Sequence, residues 1–533
     1  MTSRLSPGLG IALLGGAAMG MAAVAVLAPV ESVRAAPAGS CESLTGLAIK
    51  DGKIDSAVMV KQGESINTET GKPGLPAPAP FCRVHAVLKP TPRSEVKIEV
   101  WLPESTVWNG KLLGAGNGGY GGTLTLPALT MRTGLVRGYA ATGSDMGHLS
   151  NDVDAKWALN EPEKIVDFGH RANHLAALLA KQVVASYYPK PLAAAYFHGC
   201  SDGGREALNE AQRYPTDYDA VIAGAPANPW TRLMVGFMAD HQAAFGKPES
   251  IIPNAKLKLL QTAALAKCDA ADGVTDNVID DPRKCKFDPA VLQCKAGDGA
   301  DCLTAPQVET ARALYRGPVD AKGKSILPGY MPGAEAVPGT WDLWLTGTNA
   351  QHGRFGTEFY RYMVHSKPDW QPTDYDPIAD PKLAAKKFAG ILDGGTDLSA
   401  FYKRGGKLIL YHGWYDAAIP PENTIDYFNT LQRAQRQAAS STRLFMVPGM
   451  SHCLGGPGAT GFDPLAALDQ WRQGGPAPER IIATRYDNPL FAYFGLPAKA
   501  LGTRPLCAYP KVARWKGTGS TDDAANFDCV APS

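Results

Sequence analysis

The sequence predicts an α/β fold with a mostly parallel sheet and one large insertion, and three observations predict it. Short apolar runs end in glycine-rich turns, helix-period stretches follow several of them, and the pattern is suspended between residues 228 and 404. Runs that are apolar along their whole length belong to strands covered on both faces, the usual state of parallel strands joined by helices. Side chains that do chemistry are then expected where such strands end.

In chain order, the first 35 residues read as an export signal. Arg4 precedes an apolar stretch from Leu9 to Val30, and Val33 and Ala35 fit a small-residue cleavage site. Cleavage after Ala35 leaves a secreted or periplasmic chain with no membrane span; retention of the stretch as an N-terminal anchor is the alternative. Six strands are then expected, in "GKLLGAGNGGYGG" (110–122), "RGYAATGSDMGH" (137–148), "AAAYFHGCSDGG" (193–204), "YDAVIAGAPA" (218–227), "GGKLILYHGWYD" (405–416) and "TRLFMVPGMSHC" (442–453). The stretch "DFGHRANHLAALLAKQVVASYY" (167–188) supplies a helix between the second and third. Residues 36–227 and 405–533 thus make two parts of one core. Residues 228–404, rich in Pro, Gly and Trp, form an inserted domain expected to sit over the strand ends and shape a pocket.

Composition narrows the function classes. With 45% hydrophobic and 20% charged residues the chain is neither disordered nor fibrous. It carries 53 basic and 51 acidic residues with no run of Lys or Arg, so nothing points to a nucleic acid partner. Its ten cysteines are an even number in a chain read as exported, which points to disulfides. Zinc is the competing reading, and no CxxC or paired-His spacing supports it.

Gly199-Cys200-Ser201-Asp202-Gly203 fits G-x-S-x-G, between a strand-like run and the helix-like "GREALNEAQRYP". Such a turn needs small neighbours and presents the serine oxygen at a helix N-terminus. In α/β-hydrolases an acid and then a histidine follow the serine along the chain. Asp416 and His452 stand in that order, each just past a strand. Cys200 precedes the serine and Cys453 follows the histidine, so if Ser201 and His452 meet, a 200–453 disulfide becomes geometrically reasonable. It would close a loop of about 250 residues, restricting the unfolded chain by roughly 5 kcal/mol, and would leave Ser201 as the nucleophile. For the oxyanion, the amide of Asp202 and one from the glycine loop are expected, Gly119 first and Gly118 as the alternative. A phosphate-binding reading of that loop lacks the long helix that should follow directly.

Taken together, these residues resemble the tannase and feruloyl esterase family, which includes terephthalate monoester hydrolases. The likeness rests on "WNGKLLGAGNGGYGG", "WALNEPEKIVDFGHRANH", "FHGCSDGGREALNEAQRYPTDYDAVIAGAPA", "YHGWYD", "GMSHC" and "RPLCAYPKVARWKGTGSTDDAANFDC". It implies an α/β-hydrolase core with a lid, a Ser201–His452–Asp416 triad, no organic cofactor, and disulfides 41–82, 200–453, 268–285, 294–302 and 507–529. In those pairs the cysteines are Cys41, Cys82, Cys200, Cys453, Cys268, Cys285, Cys294, Cys302, Cys507 and Cys529.

The segment "CDAADGVTDNVIDDP" (268–282) sets Asp269, Asp272 and Asp276 around Gly273, an oxygen-rich loop that suits a hard cation or, equally, a solvated acidic turn. The resemblance implies structural calcium held by those three side chains and the carbonyls of Val274 and Val278. One departure from the family is Asp202 after the nucleophile, where a neutral residue is common. Its carboxylate is expected to turn away from the oxyanion, toward Arg205.

The expected activity is hydrolysis of esters of aromatic acids through an acyl-enzyme, feruloyl or hydroxycinnamoyl esters first, with galloyl esters and mono(2-hydroxyethyl) terephthalate as alternatives. A calcium-dependent ligand-binding module on a vestigial hydrolase fold is the reading from another class. Trp341, Trp344, Phe359, Tyr360 and Arg361 are candidate pocket residues, though aromatics in an insert equally build its own core.

Overall fold

The structure is a computed structural model that describes residues 39–66, 74–493 and 495–532. The expected export signal lies outside them. Among the described residues no helix is long and apolar enough to cross a membrane.

Nine strands form the main sheet: β1 (Gly52–Val60), β2 (Phe81–Leu88), β3 (Val96–Pro103), β4 (Lys111–Ala115), β5 (Ala140–Ser144), β6 (Ala194–Cys200), β7 (Ala220–Gly224), β8 (Lys407–Gly413) and β9 (Thr442–Val447). Their order is β1-β2-β3-β5-β4-β6-β7-β8-β9. The six strands expected from sequence are β4 to β9, and they pair in parallel. Sequence reasoning did not find β1–β3, which add an antiparallel wing through β3 and β5. β1 and β2 mix buried with exposed or partly exposed residues, and Lys97 and Glu99 interrupt the apolar run of the largely buried β3, a weaker signal than a continuous apolar run. Nor did it find two C-terminal hairpins, β10 (Arg480–Tyr486) with β11 (Ala500–Cys507) and β12 (Val512–Trp515) with β13 (Phe527–Val530).

The centre of the sheet is dry because its strands are apolar on both faces. Leu112, Ala195, Phe197, Val221, Leu408 and Leu444 pack toward one large core. Leu113, Tyr196, Ile222, Ile409 and Phe445 pack toward a second, under the helix Pro464–Arg472 and the β10–β11 hairpin. The expected helix runs Ala172–Tyr187, preceded by a π-helical turn Asp167–Arg171.

The insertion joins β7 to β8, which are neighbours in the sheet. It is built from helices and loops; its principal helices are Trp230–Phe245, Asn254–Cys268, Ala305–Arg316, Gln351–Glu358 and Ala379–Leu392. Its outer half has a core of its own, around Leu257, Leu260, Leu314, Tyr330 and Trp341. Because β6, β8 and β9 are parallel, the loops that leave their carboxyl ends emerge on one side of the sheet.

All five cysteine pairs occur as disulfides: 41–82, 200–453, 268–285, 294–302 and 507–529. None of the described cysteines is free.

Candidate active site

Ser201 follows the last residue of β6 and precedes the helix Asp202–Arg213. Its φ of 64° is a left-handed conformation rare for a residue with a Cβ, held here by the elbow around it. A Cβ on Gly199 would come within 2.2 Å of the Gly203 carbonyl oxygen, so the strand and the helix can approach only through glycine.

Three side chains form one hydrogen-bonded chain. Ser201 Oγ lies 2.9 Å from His452 Nε2, and His452 Nδ1 lies 2.7 Å from Asp416 Oδ2. Asp416 leaves the end of β8 and His452 the end of β9, so the sheet delivers all three to one place. The carboxylate is fully buried and accepts four bonds. Oδ2 takes His452 and His412 Nε2 at 3.1 Å, while Oδ1 takes the amides of Ala418 at 2.8 Å and Ile419 at 2.9 Å. Burial alone would push this carboxyl up; the charge and hydrogen bonds of His452 and His412 overcome it and hold it well below the usual carboxylate range. An ionised Asp416 requires the proton on His452 Nδ1, which leaves Nε2 free to accept from the serine.

His412 escaped the sequence reading. Its Nε2 faces two acceptors, Asp416 Oδ2 and the Ile419 carbonyl at 3.0 Å, so that nitrogen carries the proton and donates to both. Thr424 Oγ1 lies 2.7 Å from its Nδ1. The motif YHGWYD offered the signal, a histidine four residues before the acid, but only the fold shows that it turns inward.

Cys200 and Cys453 are joined with their Cα atoms 5.9 Å apart, fastening the serine turn to the histidine loop across 253 positions. Replacing both by alanine is expected to cost about 2–5 kcal/mol of stability. The looser serine–histidine geometry should also lower kcat/KM by about 10²-fold. Denaturant melts and ester hydrolysis of the double variant check both effects, and unchanged values in both would show that the clamp does not act on the site.

The glycine loop lies beside the serine. Gly118 N–H donates to Asn117 Oδ1 at 2.9 Å and is spoken for. Gly119 sits at φ +56°, where a Cβ would meet the Asp152 carbonyl oxygen at 2.0 Å. Neither the Gly119 amide nor that of Asp202 has an acceptor among the described residues. The loop is held by the helix after the serine: Asn117 N–H donates to Glu206 Oε2 at 3.0 Å, and Gly203 N–H to the Asn117 carbonyl at 3.0 Å. Asp202 does turn toward Arg205, whose Nε donates to its Oδ1 at 2.6 Å with both side chains fully buried. The same guanidinium donates to the Phe168, Gly169 and Leu392 carbonyls. The Asp202 charge is thus neutralised away from the serine.

A cavity of about 500 Å³ opens above Ser201 and His452. Its walls are mostly apolar: Trp230, Leu233, Met234 and Phe237 from one helix, Leu343, Trp344 and Phe355 from the rest of the insertion, and Ile419 from the loop after Asp416. Trp344 stands edge-on to the His452 ring, centroids 5.3 Å apart. Of the five pocket residues named from sequence, Trp344 alone lines this cavity. Trp341 is buried in the insertion's own core against Tyr315, and Phe359 and Tyr360 are buried beside Phe388, Trp370 and Tyr375. Arg361 donates to the Trp370 carbonyl at 2.8 Å and faces a different, polar cleft. Composition marks these residues as large but does not say which way each faces. The wall that was missed had a legible signal, since positions 230, 233, 234 and 237 fall on one face of a helix.

Near the 268–285 disulfide, Asp269, Asp272 and Asp276 mainly accept bonds from loop amides, such as Asp272 Oδ1 from Val274 N–H at 2.8 Å. Asp276 Oδ2 also pairs with Arg504 at 2.8 Å. Among the described residues no group of three His, Cys, Asp or Glu side chains converges to hold a metal ion. The donor chemistry nevertheless suits a hard cation. Among the described residues the Val274 and Val278 carbonyls accept no hydrogen bond, and burial, with the charges of Asp276 and Asp269 beyond the relief from Val274 N–H and Arg504, pushes the Asp272 carboxyl up to about 6.

Comparison with known proteins agrees with the fold. Residues 82–530 match the family described as Tannase and feruloyl esterase. An uncharacterised esterase of Xanthomonas campestris is 38% identical over 96% of this chain and 94% of its own length. A mono(2-hydroxyethyl) terephthalate hydrolase of Piscinibacter sakaiensis is 34% identical over 82% of both chains. The crystal structure of feruloyl esterase B from Aspergillus oryzae superposes with a TM-score of 0.83 at 26% identity, covering 92% of this chain and 99% of that one. The sheet with its serine elbow is accordingly an α/β-hydrolase core, and the chain belongs to the tannase and feruloyl esterase family of carboxylic ester hydrolases.

Proposed function

We propose that the protein is an exported esterase that cleaves esters of aromatic acids, feruloyl and other hydroxycinnamoyl esters foremost, with Ser201, His452 and Asp416 as its triad. The observation that carries this reading is the Ser201–His452–Asp416 chain at the floor of an aromatic-walled cavity. His452 Nε2 takes the Ser201 proton as Oγ attacks the ester carbonyl, and the Gly119 and Asp202 amides receive the oxyanion. The alcohol leaves with the proton from His452. Water, activated by the same nitrogen, then releases the acid and restores the serine.

The walls favour one acyl class. A terephthalate monoester brings a free carboxylate, and no Lys or Arg lines the cavity among the described residues. A galloyl ring brings three hydroxyls into walls that are largely hydrocarbon, whereas a feruloyl ring brings one hydroxyl and a methoxy group. Steady-state hydrolysis of methyl ferulate, methyl gallate and mono(2-hydroxyethyl) terephthalate tests this. The expected kcat/KM for methyl ferulate exceeds that for the terephthalate ester by at least about tenfold, since an unpaired buried charge costs more than 1.4 kcal/mol. Preference for the terephthalate ester would overturn the choice.

Structural calcium in the 268–282 loop belongs to the same proposal, held by the side chains of Asp269, Asp272 and Asp276 and the carbonyls of Val274 and Val278. The ion supplies positive charge to a partly buried acidic loop, and the triad needs no metal for its chemistry. Chelation should lower the melting temperature by several degrees, restored by added calcium. An unchanged melt would count against the ion.

A further inference from the structure

The helix that follows the nucleophile carries ionisable side chains that water does not reach: Asp202, Arg205, Glu206 and Glu210 are each at most 2% exposed. A buried charge must be paired or neutralised. Arg205 is spent on Asp202 Oδ1 and on three backbone carbonyls, which leaves Glu206 without a cation of its own.

Glu206 lies one helical turn after Asp202, on the same face. Its Oε2 accepts from the Asn117 amide at 3.0 Å. Its Oε1 is buried with no donor among the described residues, and so is Asp202 Oδ2. Two carboxylate oxygens that approach one another repel unless a proton lies between them. Burial and the adjoining Asp202 carboxylate, beyond the relief from Arg205 and the Asn117 amide, push the Glu206 carboxyl well above its ordinary value. A proton on Oε1 supplies the missing donor, because one O–H···O bond to Asp202 Oδ2 satisfies both orphaned oxygens. Burial pushes Glu210 and Tyr218, the latter in the segment before β7, upward as well, so the Asp202–Arg205 ion pair supplies the charges beside Glu206.

The partners of this acid belong to the two halves of the oxyanion site. Asn117 stands two residues before Gly119, and Asp202 carries the other free amide. The glycine loop passes directly over the acid: a Cβ on Gly116 would come within 3.0 Å of Glu206 Oε2 and 2.6 Å of the Gly203 Cα.

We propose that Glu206 is a positioning residue for ester hydrolysis: as a neutral carboxylic acid it donates to Asp202 Oδ2, accepts from the Asn117 amide, and so fixes the two oxyanion donors relative to each other. This rests on the esterase reading given above. The neutral form also keeps a second negative charge away from the place where the oxyanion develops.

Three variants test this. Glu206→Gln keeps one donor and one acceptor in the same places, Glu206→Asp is one methylene too short to reach both partners, and Glu206→Leu has neither group. Steady-state hydrolysis uses whichever ester of the panel above the wild type cleaves fastest. Binding of phenyl trifluoromethyl ketone, whose adduct with Ser201 carries an oxyanion, reads the hole directly, and binding of ferulate is the control. The Gln variant is expected within about threefold of wild type in kcat and in ketone affinity. The Asp and Leu variants should lower kcat by about 10–10²-fold and weaken the ketone by a similar factor, while KM and ferulate binding stay within about threefold. A role in packing alone would not separate ketone from ferulate. The infrared difference between wild type and the Gln variant at neutral pH should show the C=O stretch of a protonated carboxylic acid.

A Gln variant slowed by about tenfold or more overturns the proposal, and so does a difference spectrum without the acid band. Wild-type kcat in the Asp variant overturns it too, and that variant decides the matter if the Leu variant does not fold. Any of these results in an active wild type sinks this inference alone, whereas a wild type that cleaves no ester of the panel sinks the esterase reading with it.

Discussion

Replacing Ser201 with alanine is expected to lower kcat/KM for aryl-acyl esters by about 10⁴–10⁶-fold while leaving the melting temperature within a few degrees of wild type. The asymmetry follows from what the side chain touches. Among the described residues its oxygen has a single hydrogen-bond partner, His452 Nε2, and bonds to no backbone group. Removing it therefore removes the attacking atom but little packing. The neighbouring Cys200 cannot substitute, because its sulfur is bonded to Cys453 and offers no thiolate. Hydrolysis of methyl ferulate by the variant, with a thermal melt alongside, measures both halves. A variant that retains wild-type rates would overturn the serine mechanism.

Replacing Asp416 with asparagine is expected to cost about 10⁴-fold in kcat and, unlike the serine change, to destabilise the fold by about 1–3 kcal/mol. All four partners of the carboxylate are donors: His452, His412 and the amides of Ala418 and Ile419. An asparagine NH₂ turned toward Ala418 and Ile419 would set donor against donor in a fully buried site. Turned the other way, it would force the proton of His452 onto Nε2, where it blocks transfer from Ser201. Either orientation is penalised, in stability or in chemistry. The acid range adds a check on sign. Because the folded Asp416 carboxyl is held below its unfolded value of about 3.9, its contribution to stability is complete above that pH. That contribution is lost as pH falls further toward the folded value, so the stability gap between wild type and Asp416→Asn should narrow in that window. Melts from pH 7 down to pH 3 would show it; a gap that is constant or widens would mean that the carboxylate is not held by its histidines.

Much of the site was legible in one dimension for a physical reason. A nucleophile at a strand-to-helix turn needs glycine on either side, and its acid and base must leave the ends of buried strands. Those demands write themselves into G-C-S-D-G, YHGWYD and GMSHC. The cysteines beside Ser201 and His452 carried further information, since two adjacent residues cannot be far apart when their neighbours are in contact. Less legible was the antiparallel wing β1–β3, since β1 and β2 are half-exposed and Lys97 and Glu99 break the apolar run of the buried β3. The pocket wall was harder still: Phe359 and Tyr360 turn into the core and Arg361 into another cleft, while Trp230, Leu233, Met234 and Phe237 face the serine.

The sequence by itself determined the chemistry available at this site, because bond-making groups must be of particular types at particular strand ends. Only the tertiary structure decided which hydrophobic faces became pocket, how His412 shares the acid with His452, and that Glu206 meets both the glycine loop and Asp202. A side chain's type is local to the chain, but whether it meets core, ligand or solvent depends on helices and strands that pack from hundreds of residues away.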